Sequence, residues 1–399
     1  MTTLLLIIIY IAFISLGLPD SILGSVWPGM YAGLQVPISY VGFISAVISF
    51  GTVISSMNSD RLIRKFGTGL VTAVSVGMTA AALFGFAASD SFAMLCIFAV
   101  PYGLGAGSVD TALNNFVALH YQSRHMSWLH CFWGIGATAG PYIMGLCLTA
   151  GLPWNSGYQT IGIVQTVLTL VLLSTLFLWK KPVSRMEAYS DETEEQRTLG
   201  RSMRFGEIIK IKGAKNILLA FFCYCALEAT AGLWASSYMV TYRNIDVSTA
   251  AKWASLFYIG ITAGRFLCGF VSDKFGDRNM VRIGQATCGL GILLLLLPIG
   301  TAGVLTGLIL VGLGCAPIYP SLLHETPDNF GAENSQAIMG AQMACAYIGT
   351  TLMPPLFGAL ADFIGISFYP AYLLLIIVLM VCLVERMNYS YSQREKKAD

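Results

Sequence analysis

Charge is what this 399-residue chain has least of: Asp, Glu, Lys and Arg together make up 11% of it, against roughly a quarter in soluble domains. A chain so poor in charge cannot cover the surface of a soluble globule, and that class is excluded. The four histidines (120, 125, 130 and 324) do not cluster. The ten cysteines (96, 131, 147, 223, 225, 268, 288, 315, 345 and 382) contain no C-x-x-C pair, so disulfide and metal chemistry draw no support and the thiols read as small packing groups. There is no phosphate-cradling glycine loop and no soluble catalytic or sensing segment. Enzyme and receptor readings are therefore disfavoured, with no cofactor and no metal expected. The start, MTTLLLIIIY, lacks a basic n-region, and no small-residue cleavage site follows; it reads as a retained helix, not as a signal peptide.

What is present is apolar. Hydrophobic residues make up 56% of the chain and the mean hydropathy is +0.69. Runs of about 20 residues, enough to cross a bilayer as helices, occur at 4–33, 39–58, 68–88, 91–119, 127–150, 157–179, 214–240, 250–271, 279–298, 302–323, 334–361 and 366–387. The expectation is an all-α polytopic membrane protein of twelve transmembrane helices. Of the 23 Lys and Arg, all but Arg243, Lys252 and Arg265 lie in or beside the loops after spans 2, 4, 6 and 8 or after span 12. By the positive-inside rule both termini are cytoplasmic, in a multi-pass protein of the plasma membrane, here read as a bacterial inner membrane. The net charge of +2 follows from that topology and does not point to nucleic acid.

The long polar stretch around 180–213, KKPVSRMEAYSDETEEQRTLG onward, divides the chain into a first bundle (1–180), a cytoplasmic linker (181–213) with a short amphipathic helix near 205–211, and a second bundle with its tail (214–399). The halves repeat. An offset of 213 residues carries Asp60 onto Asp273, Gly51 onto Gly264, Gly136 onto Gly349, Pro141 onto Pro354 and Gly145 onto Gly358. An offset of 208 carries Asp20-x-x-x-Gly24 onto Glu228-x-x-x-Gly232, each followed by a tryptophan, Trp27 and Trp234. Duplicated six-helix units are how alternating-access carriers are built, with the site at the midplane between the halves.

The loop GFVSDKFGDR fills every defined place of G-x-x-x-D-R/K-x-G-x-R/K with Gly269, Asp273, Lys274, Gly276 and Arg278, and so resembles the loop signature of the major facilitator superfamily. The first-half copy, SMNSDRLIRKFG, departs from it: Ser56 replaces the leading glycine and Arg64–Lys65 precede Gly67. Within the superfamily the chain resembles the fucose:proton symporter-like sugar branch, through Asp20 in span 1, Asp110 in GLGAGSVDTALNN, the run LHCFWGIGATAGP and the run GLGCAPIYPSLL. Gly136, Gly140, Pro141 and Gly145 are also similar to the span-5 motif of drug antiporters, but the basic residue that those carry in span 4 has no counterpart near Ala99. The resemblance implies two pseudo-symmetric six-helix bundles, a monomer, and gating by Asp60, Arg61, Arg265, Gly269, Asp273, Lys274 and Arg278.

The residues themselves point to a site. Asp20 is the one acidic or basic residue between Leu4 and Gly33, inside GLPDSILGSVWPG. An ionised carboxylate in an apolar place is expensive, and an intramembrane acid is a functional candidate by default. Asp20 and Asp110 have no predicted cationic partner within the first half, so both are candidate proton carriers. A structural role competes at Asp20, because Pro19 has no N–H for the Ser15 carbonyl and a neighbouring polar group can satisfy the break. Asn114 lies one turn beyond Asp110, on the same face, with Gly103 and Gly107 one and two turns before it; the glycines read as helix packing. Candidate substrate contacts are Asp110, Asn114, Asn115, Trp27, Trp133, Gln165, Glu228, Trp234, Gln285, Tyr319, Gln342 and Tyr347, aromatic faces and hydroxyl-binding polar groups of the kind that hold a sugar. His130, at the start of span 5, is a further intramembrane suspect. Trp128, Trp154 and Trp179 read as interfacial anchors. The expected activity is proton-coupled symport of a small neutral polyol (hexose, deoxyhexose or glycoside). The alternatives are a proton-driven exporter of amphiphilic compounds and a sodium-coupled sugar symporter. Many amides in the cavity would favour the sugar and a mostly apolar lining the amphiphile.

Overall fold

The computed structural model describes residues 2–120, 123–180 and 205–398. Twelve of its helices are long and apolar enough to cross a membrane. Spans 1 to 6 are Leu4–Gly29, Ile38–Ser59, Thr68–Ala87, Phe92–Asn114, Trp128–Thr149 and Trp154–Ser174. Spans 7 to 12 are Ala214–Thr241, Val247–Ser272, Asp277–Leu296, Gly300–His324, Ala337–Ile364 and Ile366–Tyr389. Of the linker, a single helical turn is described, Phe205–Ile208.

Local chemistry sets where the spans begin and turn. Asp246 caps span 8, accepting from the N–H groups of Ser248 at 3.0 Å and Thr249 at 3.1 Å. These bonds, with that from the Ser248 hydroxyl, hold its carboxyl below the usual carboxylate range. The loops after spans 2 and 8 turn at Gly67 (φ +80°, ψ 154°) and Gly276 (φ +74°, ψ 155°), a backbone region open essentially to glycine alone. That conformation explains why the loop signature needs a glycine at its eighth place.

The duplication reappears as paired backbone contacts. A β-carbon on Gly103 of span 4 would collide with the Ile48 carbonyl oxygen of span 2. One on Gly312 of span 10 would collide with the Phe257 carbonyl oxygen of span 8, both partners being shifted by 209 residues. Likewise Gly136 sits on the Ile14 carbonyl and Gly349 on that of Phe222. Lipid offers no hydrophobic drive between helices, so close backbone approach at small residues is what packs them.

Twelve alternating crossings bring the start of span 1, the end of span 6, the start of span 7 and the end of span 12 to one end of the bundle. The halves meet tightly at the opposite end. There Gly24 lies against the backbone of Leu233, Gly42 against Pro355 and Gly145 against Ser248 and Lys252. The Ser236 hydroxyl donates to the Ser25 carbonyl oxygen at 2.7 Å.

Candidate functional site

Span 1 is broken where the acid sits. The first helix runs Thr2–Asp20 and a short one resumes at Ile22–Val26, followed by a 3₁₀ turn at Trp27–Gly29. Pro19 frees the Ser15 carbonyl, and the group that fills the gap is Gln165 of span 6, whose Nε2 donates to it at 2.5 Å. Asp20 is thereby left for other work. Its Oδ1 accepts from the Tyr102 hydroxyl at 3.1 Å and its Oδ2 from the Trp133 indole N–H at 2.9 Å. It remains exposed, and what it is exposed to is an internal cavity of about 400 Å³ between the halves.

Both bundles supply the cavity wall. Of the expected site residues, Asp20, Asp110, Trp133, Glu228 and Tyr347 line it. Asn114 lies just behind, donating from Nδ2 to Asp110 Oδ1 at 2.9 Å and orienting that carboxylate. Glu228 faces Arg265 at 3.7 Å, and the Arg265 guanidinium stands 5.1 Å from the centre of the Trp133 ring. Arg265, expected at a gate, lies seven residues before the end of span 8 and touches two residues of the cavity wall, Glu228 and Trp133. The half-buried guanidinium finds an opposite charge there in the Glu228 carboxylate.

Other expected contacts are placed elsewhere. Trp27 and Trp234 are fully buried, their N–H groups spent on the carbonyls of Ile38 at 2.7 Å and Pro354 at 3.0 Å. Gln342 is buried against Thr326, and Gln285 is buried within span 9. Tyr319 is half-buried and donates to the Met343 sulfur at 3.2 Å. Gln165 serves the helix break. Trp27, Trp234 and Gln165 thus spend their N–H groups on backbone carbonyls, whereas the buried Nε2 groups of Gln285 and Gln342 have no partner among the described residues. His130 stacks edge-on against Phe13 at 5.9 Å. Trp179 packs against Gly69 and Phe116 instead of standing free as an anchor.

Of the gating set, Arg278 donates to Glu325 at 2.6 Å and Asp277 pairs with His324 at 2.7 Å, tying the loop after span 8 to the end of span 10. Gly269 has open space where a side chain would lie. Arg61 is exposed, and Lys274 lies 5.9 Å from the Phe275 ring centre. The side chains of Asp60, Asp273 and Asn115 lie outside the described residues.

Sequence reasoning missed Tyr102, Tyr158, Tyr258, Ser49, Thr52 and Thr350, all of which line the cavity. The spacing of Tyr102 and Asp110, two turns apart in span 4, was the signal available for the first of these. Among the described residues no Asn or Gln belongs to the cavity wall, whose hydrogen-bonding capacity comes from three carboxylates, the Trp133 indole N–H and Ser, Thr and Tyr hydroxyls. Such a wall accepts and donates around a polar solute while tyrosine and tryptophan faces cover its apolar side.

Known proteins were then compared. The chain is 25% identical over 291 residues to the Glucose/mannose transporter GlcP of Bacillus subtilis, covering 71% of this chain and 68% of that one. It is 22% identical over 396 residues to Bypass of stop codon protein 6 of Saccharomyces cerevisiae, covering 90% and 77%. The crystal structure of the nucleoside transporter NupG superposes with a TM-score of 0.72 at 14% identity, over 96% of this chain and 98% of that one; at that identity it shows the shared fold. The family model of the Major Facilitator Superfamily matches residues 9–227 and 217–398. With the six-plus-six architecture and a cavity holding three carboxylates between duplicated halves, these matches lead to one conclusion: the chain belongs to the major facilitator superfamily and is a multi-pass membrane transporter of small-molecule substrates, not an enzyme.

Proposed function

We propose that this transporter is a proton-coupled symporter of a small neutral sugar, a hexose, deoxyhexose or glycoside, working as a monomer by alternating access in a bacterial inner membrane with both termini cytoplasmic. The observation that carries the reading is the setting of Asp20. The carboxylate is open to the cavity, is held by two neutral donors, Tyr102 and Trp133, and among the described residues has no cation in direct contact. An acid so placed can exchange a proton with whichever side the cavity faces, and it is not consumed by the helix break. Asp110, braced by Asn114, is the second acid and the better placed to touch substrate hydroxyls. Among the described residues the wall lacks the amides expected of a sugar site, and that observation favours the amphiphile alternative. The sugar class is supported instead by the wall's carboxylates and Ser, Thr and Tyr hydroxyls and by the name of the Bacillus relative, a glucose/mannose transporter. The tight contacts at the end opposite the linker are those that must break for the site to face the other side.

The test uses purified protein in liposomes containing nothing else. Glucose, mannose, galactose and fucose are added in turn, with external pH recorded in weakly buffered medium, in potassium and then in sodium salts. Alkalinisation that depends on one sugar and is indifferent to sodium supports the reading. A sugar-dependent uptake that needs sodium and moves no proton overturns the coupling, and the absence of any response to sugars overturns the substrate class.

A further inference from the structure

Asp20 and Arg265 belong to opposite halves and both meet Trp133. The indole N–H donates to Asp20 Oδ2 at 2.9 Å, while the guanidinium lies 5.1 Å from the ring centre. The far side of Arg265 reaches Glu228 at 3.7 Å. That separation exceeds the 2.7–2.9 Å or so of a charge-assisted hydrogen bond, so Glu228 alone does not fix Arg265; Tyr224 of span 7 also bonds it, and the Trp133 ring is the restraint supplied from the first half. The two contacts of the ring reinforce each other: an anion accepting from the N–H enriches the π-system, and a richer π-face holds a cation more strongly. Gly134 lies against Thr262 next door, so Trp133 is seated within the interface of spans 5 and 8 that joins the halves.

We infer that Trp133 is a positioning residue that carries the charge state of Asp20 across the halves to the Glu228–Arg265 pair. The inference rests on reading Asp20 as the coupling acid. With Asp20 ionised, the N–H is held and the ring stays on Arg265. With Asp20 neutral, the N–H loses its charged acceptor, the ring is free to turn, and Arg265 is left to its span 7 partners, Glu228 and Tyr224. The span 5–8 contact is then weakened at the step where the bound proton should license movement.

Other groups surround the bridge. Asp20 faces Tyr102 and Asp110 of span 4 and Tyr258 of span 8, with Tyr158 of span 6 behind Tyr102. Arg265 faces Tyr224 and Glu228 of span 7 and His130 and Cys131 of span 5. Of these, Asp20, Asp110, Glu228 and His130 belong to classes that titrate between about pH 4 and 8, and each must be separated from the others.

The test reads the indole directly and needs no substrate. Full-length protein is labelled with 5-fluorotryptophan, and the fluorine resonances of its seven tryptophans are followed by NMR from about pH 4 to 9, spanning the carboxylate and imidazole ranges. The Trp133 signal is assigned as the one missing in Trp133→Phe or, if that variant does not fold, in Trp133→Tyr. The expected result is a pH-dependent shift of the Trp133 signal that disappears in Asp20→Asn, persists in Asp110→Asn, Glu228→Gln and His130→Gln, and shrinks in Arg265→Lys, which keeps the charge but not the planar stack. A Trp133 signal that does not move with pH, or that moves equally in Asp20→Asn, overturns the inference. Failure of proton symport would appear instead in the liposome experiment, so the two ideas fall separately.

Discussion

Replacing Gln165 by leucine should destabilise the protein, and removing Pro19 should largely undo the damage. In the wild type Pro19 leaves the Ser15 carbonyl without its helical donor and Gln165 Nε2 supplies one from span 6 at 2.5 Å. Gln165 is 1% exposed, and its own Oε1 has no partner, so leucine removes one satisfied and one unsatisfied polar atom. What it leaves is a buried carbonyl without a donor, a loss of about 1–3 kcal/mol in general and nearer 1–2 kcal/mol inside a membrane protein, where single polar contacts are worth less. Pro19→Ala restores an N–H four residues beyond Ser15, so in Pro19→Ala, Gln165→Leu the carbonyl is satisfied within the helix. The assay is thermal unfolding of the four proteins in one detergent, compared as a double-mutant cycle. At roughly 2 °C per kcal/mol for a chain of this size, Gln165→Leu should fall by about 2–4 °C and the double variant should regain more than half of that. Additive losses would refute the reasoning, and with it the claim that Gln165, not Asp20, serves the break in span 1.

Three further outcomes follow from the same description. Asp20→Asn should lose pH-driven accumulation yet still exchange labelled for unlabelled sugar, whereas Asp110→Asn should lose both; vesicle uptake and counterflow decide it, and Asp20→Asn that still concentrates sugar would return that residue to a structural role. Burial holds the Glu325 carboxyl above its ordinary 4.5 in spite of the Arg278 bond. Its stabilising contribution is therefore complete below pH 4.5 and is lost as pH rises through the raised folded value, so the melting temperature of wild type relative to Glu325→Gln should decline across that window; a difference that grows with pH would contradict it. An introduced Glu192→Cys in the linker should resist an impermeant maleimide on intact cells and react after permeabilisation; labelling of intact cells would reverse the assigned topology.

The number of spans, the duplication and the family were legible in the sequence because each rests on local pattern. Apolar run length, the spacing of GFVSDKFGDR and the recurrence of glycines every 208 to 213 residues need no knowledge of what touches what. An acid in GLPDSILG is visible in the same way, since no other residue between Leu4 and Gly33 is charged at neutral pH. Which polar residues reach the cavity was decided only by the tertiary packing. Trp27 and Trp234 carry the same indole as Trp133 at the site, and Gln285 and Gln342 are as polar as its hydroxyls, but each lies on a helix face that packing buries. Tyr102 and Tyr258, unremarkable in sequence, turn toward the space between the halves. In a membrane helix nearly every face is apolar, so hydropathy does not separate the face toward lipid, the face toward a neighbour and the face toward the substrate path. That choice comes from long-range contacts, such as Gly136 on the Ile14 carbonyl and Gln165 on that of Ser15, which rotate each helix and so determine where its few polar side chains point.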